Sequence, residues 1–372
     1  MKRLAATILV LGAALVTVAR GGHELPIYPS FYPHEIEIKS LAPEAAAQPL
    51  REGKIQAYVG SGLSFAGAPP VDIRAIESLG SFIVVRVNPE SARAQDDASA
   101  CAVVRTVMRA LAAQGDFIAH SYPVTPFHGD YLHHADLAAA AMARFPLDET
   151  PVADLKIAAR GSLAQSHPEW SARNADWDAE VDEVDAAELV ASAIFSVNGW
   201  LAPPWVRTGW FHAERLLADA AREPAHRERI ESDLQRLKAG DFTGLIERIN
   251  LERDLVTLLT AGCRKIVAGY TVKREYVNVE FSAGIENIGY DSLTGLHSPM
   301  FIRMVKLKDF PWNGWLALGI DGKPAAAWNP IGGMTDPFGR LLGFSVGDPA
   351  LLPSPYESGW MLNRIADLPP GR

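Results

Sequence analysis

Cysteine is almost missing from this chain: Cys101 and Cys263 are the two in 372 residues. Neither stands in a CxxC or CxxCH, which excludes thioredoxin-type redox chemistry and covalent haem attachment. In an oxidising compartment the pair allows a single disulfide. Cys101 falls in the helical pattern ACAVVRTVMRALAAQG and Cys263 just past a helix end, so two buried free thiols fit equally well. A phosphate-binding P-loop and a dinucleotide fingerprint are also missing, which argues against nucleotide-driven chemistry. Positive charge is in deficit, with 35 Lys and Arg against 44 Asp and Glu, a formal charge of −9. General affinity for nucleic acid or anionic lipid is therefore not expected. Beyond residue 19 no charge-free apolar run approaches the about 20 residues that a membrane span needs. Internal repeats and low-complexity tracts are not visible either.

What is present begins with MKRLAATILVLGAALVTVARGG, a basic start followed by an apolar run from Leu4 to Ala19 with small residues at both plausible cleavage points, Ala19 and Gly21. Residues 1–21 read as a secretory signal peptide, or alternatively a short N-terminal anchor. Losing Lys2, Arg3 and Arg20 takes the charge to −12. The expected location is periplasmic or otherwise extracytoplasmic, with no membrane insertion beyond the N-terminal segment.

The remaining chain has an ordinary globular composition, 48% hydrophobic and 21% charged. Strand patterns in HEIEIKSL, IQAYVG, ESLGSFIVVRVNP, FIAHSY and DLKIAAR alternate with helix patterns in PEAAAQPLREGK and ASACAVVRTVMRALAAQG, a mixed α/β order. A helix is expected from about Asp130, as N-cap, to Arg144, and an acidic helix within ARNADWDAEVDEVDAAELVASAIF. HAERLLADAAR, HRERIESDLQRLKAG and GLIERINLERDLVTLLTAG make the middle helical. From Cys263 the texture turns to β, with KIVAGYTV, EYVNVEFSAGIENI, FIRMVKLK, GWLALGI and PAAAWN as strands. The reading is a two-lobed α/β body, with an α/β domain over 22–262 and a β-rich part over 263–372.

Four of the ten histidines lie within residues 120–134, in HSYPVTPFHGDYLHH. His133 and His134 are adjacent and would diverge by about 100° on a helix, and His128 lacks one-turn spacing to either. A single ion would need ligands from elsewhere, and His23 and His34 in GGHELPIYPSFYPHE are donors for an alternative metal set of His23, His34, His128 and His134. Neither His-Glu dipeptide starts an HExxH. The spacing better suits a ligand-binding lip built from Tyr28, Tyr32, His34, His120, Tyr122, His128, Tyr131 and His134. NGWLAPPWVRTGWF adds Trp200, Trp205 and Trp210 on a proline-held loop, with Arg207 to pair an acidic group. The same tryptophans could instead cover a seam between two parts of the protein.

VGSGLSFAG is close to a nucleophile elbow, but APPVD follows where a helix is required. Its serines, and those of ARGSLAQSHPEW, can instead help hold an anion. The run 176–188 has seven carboxylates without the frame of a calcium loop and reads as a solvated face.

The step from HEIEIKSLAPEAAAQPLREGK to IQAYVG, with Leu50-Arg51-Glu52-Gly53-Lys54 at its turn, resembles periplasmic solute-binding proteins of the phosphate and phosphonate type. DLKIAAR followed by Ser162 and Ser166 is similar to their anion-binding turn. The resemblance implies two α/β lobes holding a small-molecule ligand, delivery to a membrane transporter, and polar contacts from Ser61, Ser64, Ser162 and Ser166. The functional reading is an exported small-molecule-binding protein of a transport system, with an aromatic- and His-lined cleft and no cofactor. Its alternatives are an extracytoplasmic enzyme dependent on a transition metal, and a periplasmic protein-interaction module.

Overall fold

The computed structural model describes residue 33 and residues 35–362, except 34, 114, 149, 171–175, 198–203, 221–223, 310–313, 324–333, 335, 348–350 and 355–358. In chain order the strands are β1 (Glu35–Ser40), β2 (Ala57–Val59), β3 (Ile73–Val87), β4 (Phe117–Ala119), β5 (Ile157–Ala159), β6 (Ala179–Asp185), β7 (Lys265–Asn278), β8 (Ile285–Glu286), β9 (Lys306–Leu307), β10 (Trp315–Ile320), β11 (Leu351–Pro353) and β12 (Trp360–Leu362). The helices are α1 (Pro43–Arg51), α2 (Asp97–Ala112), α3 (Ala135–Ala143), α4 (Leu163–Ser166), α5 (Ala186–Val197), α6 (Gly209–Leu217), α7 (Pro224–Ala239), α8 (Gly244–Leu259), α9 (Pro299–Met304) and α10 (Pro337–Val346).

Local chemistry sets several of these boundaries. Asp96 and Ser99 form a reciprocal capping box at the start of α2, with the Ser99 amide donating to the Asp96 carboxylate at 2.7 Å. Pro43 opens α1, and Asp336, its carboxylate accepting from the Gly339 amide at 2.9 Å, caps α10 just before Pro337.

The main sheet runs β1-β10-β2-β7-β3-β6-β5, with β4 also paired to β7. Its two lobes share one antiparallel ribbon, β3 against β7. The end of the ribbon near Ile73 and Asn278 carries β2, β10 and β1, whereas the other end carries β4, β6 and β5. The register slips between Leu79 and Phe82. Gly80 lies in this slip because a Cβ there would stand 2.6 Å from Thr271 Oγ1, the atom that accepts from the Ser81 amide.

Strand alternation then supplies a core on each face of each lobe. In the β4–β6 lobe, Phe82 and Val84 face the cluster under α5, α6, α7 and α8, while Ile83, Val85 and Val87 face α2. In the other lobe, Val59, Val277 and Leu318 face α9 and α10, while Tyr58 and Tyr276 pack with Leu50 of α1. Cys101 of α2 and Cys263, two residues before β7, are joined in a disulfide, with Cα atoms 5.1 Å apart across a sequence separation of 162. Among the described residues no helix is long and apolar enough to cross a membrane.

Three local expectations are corrected. The acidic run is not helical at its centre: Ala179–Asp185 is β6, because AEVDEVD places Ala179 and Val181 on one face and Glu180, Asp182 and Val184 on the other. The first half of FIRMVKLK is α9, since Ser298 accepts from the Met300 amide as N-cap and Pro299 takes the first helical position, and the strand expected there is reduced to β9. Asp130 does not cap its own segment, which is a short 3₁₀ turn followed by α3. The C-terminal part thus contributes α9 and α10 beside its strands, and β7, which starts just past residue 262, lies between β2 and β3 in the main sheet.

Candidate functional site

The His120–His134 segment and the Trp205–Trp210 segment do come together, as a packed seam. Asp130 accepts from the amide of Gly209, the first residue of α6, with both carboxylate oxygens at 3.0 Å, so it neutralises that helix's positive end. A Cβ at Gly209 would meet Val124 Cγ1 at 2.4 Å, so glycine permits the close approach. Trp210 is 1% exposed and packs against Trp205, with ring centroids 6.0 Å apart.

A relay of single hydrogen bonds crosses this seam. The Thr125 amide donates to His128 Nδ1 at 2.9 Å, and His128 Nε2 lies 2.9 Å from His212 Nδ1. His212 Nε2 in turn lies 3.1 Å from the Val206 carbonyl. The relay assigns each ring one proton, on Nε2, and makes both imidazoles neutral. Burial pushes the His128 pKa down to about 3, and burial followed by the neighbouring His128 holds His212 well below its ordinary value. His120 is buried too, its Nε2 donating to the Val124 carbonyl at 3.0 Å.

This neutral pair has a pH consequence. Unfolded histidine titrates near 6.5, so below that pH the unfolded chain takes up protons that His128 and His212 refuse. Stability from the pair is complete above about pH 6.5 and is lost as pH falls toward the folded values, by about 1.4 kcal/mol per histidine per unit. Glu252 opposes the trend, because burial raises its pKa to about 7 and the folded state takes up its proton first. Urea unfolding of wild type and His212→Gln between pH 7.5 and 5.5 isolates the histidine contribution. The substitution is expected to flatten the acid-side fall, and an unchanged slope would contradict the neutral relay.

The other residues read from the sequence are placed as follows. Tyr122 reaches His134 Nδ1 at 2.8 Å, and Tyr131 is half-buried with its ring 6.1 Å from that of His120. Arg207 is 14% exposed and its acidic partner is the chain's own Asp291, 2% exposed, which also accepts from the Leu293 amide at 2.8 Å. Burial lowers the Arg207 pKa to about 10. Ser61, Ser64, Ser162 and Ser166 are exposed; the Ser61 amide donates to Asp321, and the Ser162 hydroxyl to Glu183. The two serine pairs therefore sit at separate places on the sheet. His23, Tyr28, Tyr32, His34 and Trp200 lie outside the described residues.

An open, charged pocket of about 200 Å³ lies at one end of the seam's face of the sheet. Cross-strand register builds its floor: Lys265, Arg86 and Glu180 stand side by side on β7, β3 and β6, with Val84 and Asp182 one step along. Leu189 of α5 and Arg215 and Leu216 of α6 form the walls, and Arg160 closes the edge. Most of its charges are paired, Arg160 with Glu180 at 2.7 Å and both Arg86 and Lys265 with Asp219, at 2.8 and 2.6 Å. The side chains of Asp182 and the exposed Arg215 form no hydrogen bond or ion pair with the described residues, although Arg215 lies close enough to Glu214 to act on it electrostatically. None of these lining residues was singled out from the sequence. The signal available was the alternation of Glu180 and Asp182 on β6, but their cationic neighbours come from distant strands.

No protein-family model matches the chain. No curated protein is similar to it in sequence. Among solved structures it is similar to HbpA2 from Haemophilus parasuis, with 12% identity and a TM-score of 0.41 over 72% of this chain and 57% of that one. It is also similar to the oligopeptide-binding protein AppA of Bacillus subtilis, solved with a nonapeptide, at 11% identity and a TM-score of 0.37 over 68% of this chain and 57% of AppA. NikZ of Campylobacter jejuni, solved with Ni(L-His), matches at 14% identity and a TM-score of 0.33 over 66% of this chain and 56% of its own. The chain thus spans less than two thirds of each of these proteins. At such identities no residue of theirs maps onto a residue here.

Proposed function

We propose that the protein is an extracytoplasmic solute-binding component of a transport system and that its solute is small and zwitterionic. The observation that supports this reading is the pocket between β3, β6 and α6, where the side chains of Arg215 and Asp182, without a hydrogen bond or ion pair among the described residues, offer one charge of each sign above an apolar strip of Val84, Val184, Leu189 and Leu216. A carboxylate directed at Arg215 and an ammonium directed at Asp182 would complete both groups, and opposite charges on one ligand satisfy such a pocket better than an anion alone. Its volume of about 200 Å³ is below the range usual for drug-sized ligands, which favours an amino-acid-like solute over a long peptide. The apolar leader reading of residues 1–21 and the Cys101–Cys263 disulfide both suit an oxidising compartment. Delivery to a membrane transporter follows from the same reading.

Isothermal titration of amino acids, dipeptides and inorganic phosphate tests it. A zwitterion is expected to bind, and Arg215→Ala and Asp182→Asn are each expected to weaken it by about tenfold, the loss of one charged hydrogen bond. Preference for phosphate would favour instead the phosphate-type resemblance and require Arg215 but not Asp182. Binding that neither substitution weakens would place the solute elsewhere and overturn the assignment of this pocket.

A further inference from the structure

Beneath the seam, three side chains from two distant parts of the chain meet in the interior. Asp130 lies just before the 3₁₀ turn Tyr131–His133, His134 follows that turn, and Glu252 comes from α8. One donor atom of each, a carboxylate oxygen from either acid and a ring nitrogen of His134, lies within 4.8 Å of the other two. All three residues are buried, at 6%, 0% and 3% exposure. Neither Nε2 of His134 nor Oε2 of Glu252 has a hydrogen-bond partner among the described residues. Buried polar atoms are rarely left so, and two carboxylates without water around them repel.

We propose that Asp130, His134 and Glu252 bind one divalent transition-metal ion of the zinc type. Nitrogen and carboxylate oxygen donors suit such an ion, and bonds of about 2.0–2.2 Å would set the donors about 3 to 4 Å apart, a small contraction of the cluster. A doubly charged cation balances both carboxylates. The surroundings are already those of a ligand set. Tyr122 holds His134 through Nδ1 at 2.8 Å, which leaves Nε2 for the ion. The Gly209 amide orients Asp130, and Arg248 lies 3.5 Å from Glu252 Oε1, leaving Oε2 free. The site has no exposed face, so its role is structural: it ties α8 to the segment that packs on α6. The other grouping of ligand-type side chains, Asp97 with Cys101 and Cys263, is not a rival, because both sulfurs are joined to each other. The proposal is independent of the solute pocket.

The test uses the full mature chain, stripped with a chelator and dialysed, then titrated with Zn²⁺ and assayed by elemental mass spectrometry. One ion per chain is expected, with a rise in melting temperature on loading. Glu252→Gln and His134→Gln are each expected to weaken binding by at least about a hundredfold. Co²⁺ loading of wild type supplies a readout independent of any variant's folding, and visible d–d bands from Co²⁺ held by nitrogen and carboxylate oxygen donors are expected. Absence of stoichiometric Zn²⁺ and of those bands would overturn the proposal, as would an affinity unchanged in folded Glu252→Gln, which would put the ion elsewhere.

Discussion

Replacing Cys101 and Cys263 together by serine is expected to lower the unfolding free energy by about 4 to 5 kcal/mol. The disulfide closes a sequence separation of 162 residues, and loop-closure entropy for that length gives about 5 kcal/mol, with native strain and residual unfolded structure reducing it. The cost falls on the β4–β6 lobe, where Cys263 is fully buried among Val103, Val104 and Ile266 beneath α2. Asp97 adds to the join by accepting from the Cys263 amide at 2.9 Å, a bond that survives the substitution. Guanidinium unfolding of oxidised wild type, reduced wild type and the double serine variant measures the effect. The two thiol-free or reduced forms should agree with each other and fall well below the oxidised protein. A difference under about 1 kcal/mol would mean that the cysteines are not paired in the folded chain.

Arg207→Met carries the second large expectation, a loss of about 3 to 5 kcal/mol. The substitution strands the Asp291 carboxylate, 2% exposed, with its backbone partners but no cation. Asp291→Asn in the Arg207→Met background removes the stranded charge while keeping an oxygen for the Leu293 and Thr294 amides. The double variant should therefore recover most of the loss, and the coupling between the two sites should be about 2 kcal/mol or more. This outcome separates two roles that the sequence left together. A ligand-contacting Arg207 would lose solute affinity with little change in stability, whereas the buried ion pair predicts the reverse. Thermal unfolding and solute titration on the same three variants decide between them.

Periodicity made most of the framework legible. The alternation of ESLGSFIVVRV and KIVAGYTV, and the apolar stripes of the helices that became α2 and α8, needed no tertiary information. Where the reading failed, two local signals competed. In SPMFIRMVKLK the β-branched and aromatic residues outweighed the Ser-Pro helix start, and in AEVDEVD the density of carboxylates hid a two-residue period. The seam was legible in part. Spacing alone argued against one ion shared by the neighbouring histidines; in the structure His134 meets Tyr122 whereas His128 meets His212. What no local pattern could reveal was Glu252, which reaches Asp130 from 122 positions away. A clue lay in its position on a core-facing stripe with Leu251, Leu255, Val256 and Leu259, where an acid has no reason to stand unless something inside receives it. The charged pocket was hidden for the same reason, since register between β3, β6 and β7 exists only once the strands have met.

The strand order also governs when the molecule can come into being during synthesis. β7 and β10, both from the last third of the chain, occupy interior positions of the sheet, and Glu35 of β1 finds its partner at Trp315. Until about residue 320 has left the ribosome, β1 has no neighbour and β2 has β7 but not β10. Pairings of such separation form late and slowly. The lobe of β1, β2 and β10 therefore completes after the β4–β6 lobe, whose last strand, β7, precedes β10 in the chain.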